Sequence, residues 1–163
     1  MNKKIIFSSG GTGGHVFPTI GIANYFSKIG YDVLFVTDKR GYNFLKNFKL
    51  KTHILNTDTL TNKNLFKKIY SSLKIFIAIL KSFFLLKKEK PNLVFGIGGY
   101  ASFPICLAAK ILNIPLVIYE NNLVLGRANR ILLPFAKKLL ISNKKINDKI
   151  EKYKNKISVV GNL

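Results

Sequence analysis

The run Gly10-Gly11-Thr12-Gly13-Gly14-His15-Val16-Phe17-Pro18 follows the apolar stretch Ile5-Ile6-Phe7. A strand that runs into glycines and then a helix start leaves main-chain N–H groups bare and aims them at one point, an arrangement suited to a diphosphate. The spacing separates this loop from other phosphate loops. A Walker loop needs Gly-Lys-Ser/Thr at the helix start, and here the glycines lead into His15. A dinucleotide fingerprint counted from Gly11 through Gly13 needs its last glycine where Val16 stands, and Asp38 at the end of the next apolar run does not rescue a wrong loop. The expectation is a phosphorylated ligand bound by neither of those two loop types.

Two more loops follow strand-like runs. Gly98-Gly99-Tyr100-Ala101-Ser102-Phe103-Pro104 comes after residues 93–96, and Glu120-Asn121-Asn122 comes after residues 116–119. The first offers another set of N–H donors, and the second a carboxylate and two amides suited to sugar hydroxyls. Any one of these loops is explained by a tight turn. Three of them at one sheet end point to a shared crevice.

The elements that must position these loops alternate along the chain. Residues 5–8, 32–36, 52–55, 93–96, 116–119, 139–142 and 157–160 read as strands, several of them continuously apolar, as strands covered on both faces are. Residues 18–28, 64–90, 102–112, 128–136 and 145–153 read as helices. The expected fold is α/β: a Rossmann-like parallel sheet with helices on both faces, forming one domain over residues 1–163. His53 falls in a strand away from the loops and reads as structural.

Composition narrows the partners. The 27 lysines and arginines against 7 acids give a net charge of +20, yet only three of the 27 are arginine, and no base-reading motif accompanies them. Nucleic acid is therefore not the expected partner. The single cysteine, Cys106, rules out a disulfide framework and reads as a core residue. The first seven residues lack the apolar core of a signal peptide, so a cytoplasmic location is expected.

In the stretch 64–90, Leu65, Ile69, Leu73, Phe76, Leu80 and Phe83 or Phe84 recur at three- and four-residue steps and are expected to pack on the sheet. Ile75 and Ile79 lie off that stripe among lysines that include Lys74 and Lys81. They are expected to touch an anionic membrane surface. The longest unbroken apolar run, residues 75–80, is too short to span a bilayer.

In their order and spacing, GGTGGHVFP, GIGGYASFP, YENN and VVGN resemble the MurG family of peptidoglycan N-acetylglucosaminyltransferases. The resemblance covers the whole chain but only the amino-terminal half of that family, whose members pair two Rossmann-like domains in the GT-B arrangement. It implies transfer of N-acetylglucosamine from UDP-N-acetylglucosamine to the C4 hydroxyl of the muramoyl sugar of lipid I, with inversion, giving lipid II at the cytoplasmic face of the membrane. By motif match it places Thr12, Gly13, Gly14 and Asn122 at the donor and Gly98, Gly99 and Tyr100 at the acceptor diphosphate. His15 becomes the candidate general base and Glu120 the group that orients or polarises it.

That chemistry suits the residue types. A hydroxyl attacks an anomeric carbon as its proton leaves, and a histidine can take that proton near neutrality. The leaving diphosphate is met in this fold type by helix termini, and no Asp-x-Asp metal motif or cofactor motif occurs. The family continues VGNP and then an arginine, whereas this sequence reads Val160-Gly161-Asn162-Leu163. The carboxyl-terminal donor domain is thus expected to be absent, the chain being a truncated product or one half of a split enzyme with a donor-domain chain as partner. The alternative is a non-catalytic membrane-anchoring half that recruits a separate donor-binding catalytic chain.

Overall fold

A computed structural model describes residues 3–57, 65–144 and 150–163. Each strand-like run becomes a strand: β1 Lys4–Ser8, β2 Asp32–Thr37, β3 Lys51–Ile54, β4 Leu93–Ile97, β5 Leu116–Glu120, β6 Lys138–Ile141 and β7 Ile157–Val159. All pair in parallel, in the order β3-β2-β1-β4-β5-β6-β7. The order reverses between β1 and β4, where Ser8 stands opposite Gly96. A crevice opens beyond the carboxyl ends of the strands at such a switch point. The two glycine loops leave the sheet from these two strands.

Helices α1 (Gly13–Lys28) and α2 (Lys39–Leu45) cover one face, and α3 (Leu65–Glu89), α4 (Gly99–Ile111) and α5 (Arg127–Leu132) the other. Alternate strand residues feed the two cores. Ile5, Phe7, Phe35 and Phe95 pack under α1 with Val16, Ile20 and Ala23. Ile6, Leu34, Val94 and Ile118 pack under α4 with Ile105, Cys106 and Ala109. Burial pushes the Cys106 thiol up to about 12, which leaves it an inert core group.

Several boundaries differ from expectation. Helix α1 starts at Gly13 rather than residue 18 and carries Pro18 in its second turn, where the proline lacks the N–H that would bond to the Gly14 carbonyl. Helix α2 was not anticipated; Asp38 caps it by accepting from the Gly41 N–H at 2.7 Å. Helix α5 stops at Leu132; Leu133 keeps helical backbone, and Pro134 brings no N–H to extend the ladder. The helix expected over 145–153 lies partly outside the described residues, and Glu151–Lys156 forms a 3₁₀ turn.

The largest correction concerns α3. Ile69, Leu73, Phe76, Leu80 and Phe84, expected on the core face, are exposed, while the side chain of Leu65 lies outside the described residues. The buried stripe runs instead through Ser71, Ala78, Ser82 and Leu86, with Ile75, Ile79 and Phe83 half-buried beside it. It packs mainly against α4, and Ala78 and Leu86 join the core that includes Ile6, Leu34 and Val36 of the sheet. Small side chains let the two helices approach closely, so the bulky residues turn outward. Ile75 and Ile79 consequently flank the packed side, whereas Lys74 and Lys81 are exposed. Phe66–Glu89, 24 residues of this helix, are by length and composition enough to cross a bilayer, contrary to the expectation drawn from the longest apolar run. In this fold its small-residue stripe is committed to α4.

The end of α3 is tied back to the first strand. The Lys4 ammonium donates to Glu89 at 2.6 Å and lies 3.0 Å from Asp32. The Lys4 bond holds the Glu89 carboxyl below its ordinary value of 4.5, and the two carboxylates raise the Lys4 pKa. A depressed carboxyl pKa adds stability above the ordinary carboxylate range and loses it as pH falls. The raised lysine pKa adds stability that persists at every pH below about 10 and so does not shape the acid limb. In thermal unfolding from pH 7 to pH 3, Glu89→Gln is expected to lower stability by about 1 kcal/mol at pH 7. The deficit should close toward pH 3.

Candidate active site

Loop 1, between β1 and α1, and loop 2, between β4 and α4, meet at the switch point. Gly11 at φ +82° and Gly98 and Gly99 at φ +48° and +73° turn the chain from strand into helix by left-handed backbone that a side chain would strain. At the two helix starts, the N–H groups of Gly13 and Gly14 and of Gly99 and Tyr100 have no acceptor among the described residues. The His15 imidazole lies between the loops: a Cβ on Gly98 would stand 3.0 Å from its Cε1 and 3.2 Å from its Nδ1. His15 is half-buried, and its Nδ1 has no hydrogen-bond partner among the described residues. Thr12 is exposed at the N-cap of α1, with its hydroxyl outside the capping bonds.

Asp38 holds the loops together from beneath. It is 7% exposed and its Oδ1 accepts from the N–H of Gly11 at 3.1 Å as well as from Gly41. Its Oδ2 lies 3.5 Å from the Tyr100 hydroxyl, a long contact for this pair. Gly10 leaves room for the carboxylate, because a Cβ there would fall 2.7 Å from Asp38 Oδ1 and 2.6 Å from the Ala101 Cβ. The residue that only imitated a ribose-binding acid in sequence is a brace for both glycine loops. An aspartate followed by the start of a short helix was the available signal.

The third loop departs from expectation. Glu120, 1% exposed, is not an orienting partner of His15. Its Oε1 accepts from the Asn122 N–H at 3.1 Å and from Asn122 Nδ2 at 2.7 Å, and its Oε2 from the Gly126 N–H at 2.9 Å and Asn129 Nδ2 at 3.1 Å. Four donors satisfy the carboxylate, which organises the segment between β5 and α5. The Asn122 amide nitrogen is spent on that carboxylate, although the residue is otherwise exposed. Asn121, expected with Asn122 to offer an amide to sugar hydroxyls, reaches loop 1 by donating from Nδ2 to the Gly14 carbonyl at 3.3 Å. His53 stands exposed on edge strand β3, as expected away from the loops.

A parallel sheet that carries two glycine loops on adjacent strands of its switch point is the amino-terminal Rossmann-like domain of the GT-B architecture. The match extends to sequence: the N-terminal domain of glycosyltransferase family 28 covers residues 5–141, and the chain belongs to that family. It is 40% identical over 162 residues to the UDP-N-acetylglucosamine--N-acetylmuramyl-(pentapeptide) pyrophosphoryl-undecaprenol N-acetylglucosamine transferase of Rickettsia rickettsii (strain Sheila Smith), covering 99% of this chain and 42% of that protein. It is 38% identical over 160 residues to the protein of the same name from Pelagibacter ubique, covering 98% and 44%. The crystal structure of Acinetobacter baumannii MurG superposes with a TM-score of 0.84 at 26% identity, over 99% of this chain and 46% of that one. The chain thus spans less than half the length of the curated relatives it matches.

Replacing Asp38 by Ala should strand the buried Gly11 and Gly41 amides and lower stability by roughly 1–3 kcal/mol. Denaturant unfolding at pH 7 measures that loss. Asp38→Asn should recover part of it, because the amide oxygen still accepts.

Proposed function

We propose that this chain is the acceptor- and membrane-side half of an inverting transferase that moves N-acetylglucosamine from UDP-N-acetylglucosamine to the C4 hydroxyl of the muramoyl sugar in lipid I, giving lipid II. One observation carries the reading: two open helix N-termini converge at the switch point with the His15 imidazole between them. Main-chain amides so placed favour an anion at each helix start. Gly13, Gly14 and Thr12 face the donor sugar and diphosphate, and Gly98, Gly99 and Tyr100 the acceptor diphosphate. Asn122 contributes to the donor side through its exposed edge. The nucleotide itself needs a second domain, in keeping with the greater length of the relatives.

His15 serves as general base. Its Nδ1 is buried against Gly98, which leaves Nε2 as the ring nitrogen open to accept a proton from the attacking hydroxyl. Inversion follows from a single displacement, with the hydroxyl attacking the face of the anomeric carbon opposite the departing diphosphate. The amides at the helix starts meet the charge that develops on that leaving group without having to reorganise. Glu120 acts one step away, keeping the β5 loop in shape through its four donors.

The outer face of α3 is the membrane contact. Phe66, Ile69, Leu73, Phe76, Leu80 and Phe84 are exposed along it, with Lys67, Lys68, Lys74, Lys81, Lys87 and Lys88 exposed around them. Each apolar side chain inserted adds roughly 1.5–3 kcal/mol, and each lysine near anionic lipid about 1 kcal/mol. A peripheral position on the cytoplasmic face follows.

With a donor domain supplied, His15→Ala is expected to cut lipid II synthesis by roughly 10²- to 10⁴-fold while thermal unfolding stays close to that of the parent chain. An unchanged rate would remove His15 from the chemistry. On vesicles containing anionic lipid, Phe76→Glu with Leu80→Glu should weaken co-sedimentation without loss of fold, since both side chains are exposed. Sedimentation equal to that of the parent chain would refute the membrane face.

A further inference from the structure

Proline in a helix leaves one carbonyl without its usual partner, four residues back. In α1 the proline is Pro18 and the carbonyl is that of Gly14, the residue before His15. Asn121, 107 positions further along the chain, donates from Nδ2 to this carbonyl at 3.3 Å. The assignment of the amide is chemical: a carbonyl oxygen only accepts, so the NH₂ end must face it. Turned this way, Asn121 leaves its Oδ1 buried with no partner among the described residues. The Asn121 main chain is itself fastened to β6, for Ser142 Oγ donates to its carbonyl at 3.0 Å and the Ser142 N–H donates to the Glu120 carbonyl at 3.0 Å.

We infer that Asn121 is a positioning residue: by supplying the donor that Pro18 lacks, it pins the first turn of α1 to the end of β5 and thereby sets where the His15 imidazole stands against Gly98. The corresponding proline of α4, Pro104, leaves the Tyr100 carbonyl without its usual partner, and no side chain from elsewhere in the chain donates to it among the described residues. The nearby Ser102 Oγ donates to the carbonyls of Gly98 and Gly99, at 2.7 and 3.2 Å, and not to that of Tyr100. Ser102 thus ties loop 2 to its own helix, while loop 1 is held by Asp38 and, through Asn121, by the third loop. This deepens the reading of His15 as general base and rests on it for the consequence in catalysis; the contact itself does not depend on that reading.

The test uses a compensating pair. Pro18→Ala restores a main-chain N–H that can serve the Gly14 carbonyl, so it should make the Asn121 amide redundant. In isotopically labelled protein, Asn121→Leu is expected to move the Gly14 carbonyl carbon resonance to lower frequency, as on loss of a hydrogen bond. It should also shift the Gly98 amide, which neighbours the His15 ring. Combining Asn121→Leu with Pro18→Ala should return both signals toward the parent positions, with thermal midpoints that are not additive. Where Asn121→Leu alone fails to fold, adding Pro18→Ala should recover the folded spectrum. Unmoved Gly14 and Gly98 signals in Asn121→Leu, or no recovery in the double variant, would overturn the inference. None of these readouts involves transfer. Failure here leaves the role of His15 standing, and loss of that role leaves the resonance shifts standing.

Discussion

Two helices begin side by side at the carboxyl ends of β1 and β4, on opposite faces of the sheet, and each start carries about half a positive charge in open N–H groups. Like partial charges brought together repel, and the chain already carries a net charge of +20. The buried Asp38 carboxylate between the loops answers this locally, binding Gly11 on one side and facing Tyr100 on the other. It does so beneath the loops, leaving Gly13, Gly14, Gly99 and Tyr100 turned to the crevice. The same arrangement leaves open N–H groups at both helix starts, where negative charge is favoured.

The buried carboxylates share this architecture of small, satisfied networks. Glu120 is saturated by four donors within nine residues of itself, so it shapes its loop rather than reaching for the imidazole. Spacing in the sequence put Glu120, Asn121 and Asn122 at the right end of the right strand. Which of the three turned toward loop 1 was decided by hydrogen-bond supply: the carboxylate drew the Asn122 amide, and the Gly14 carbonyl, short of a donor because of Pro18, drew Asn121.

Helix α3 shows where periodicity misleads. Its bulky apolar residues recur at helical steps and look like a core stripe, yet the buried stripe is Ser71, Ala78, Ser82 and Leu86. An amphipathic pattern measures hydrophobicity and is silent about how close a neighbour must come. Close approach to α4 favours small side chains, and the displaced bulk makes an exposed apolar face ringed by lysines.

The sequence by itself determined the seven strands, their parallel α/β class and the placing of three loops at one rim. Continuous apolar runs and glycine-proline punctuation act over a few residues, and those short-range signals survive in the order of letters. Only the tertiary structure decided the face of α3, the bracing of Gly11 by Asp38 and the pairing of Asn121 with Gly14. Each of these depends on what stands within a few ångströms across the fold, and contacts spanning tens of residues have no periodic trace in the chain.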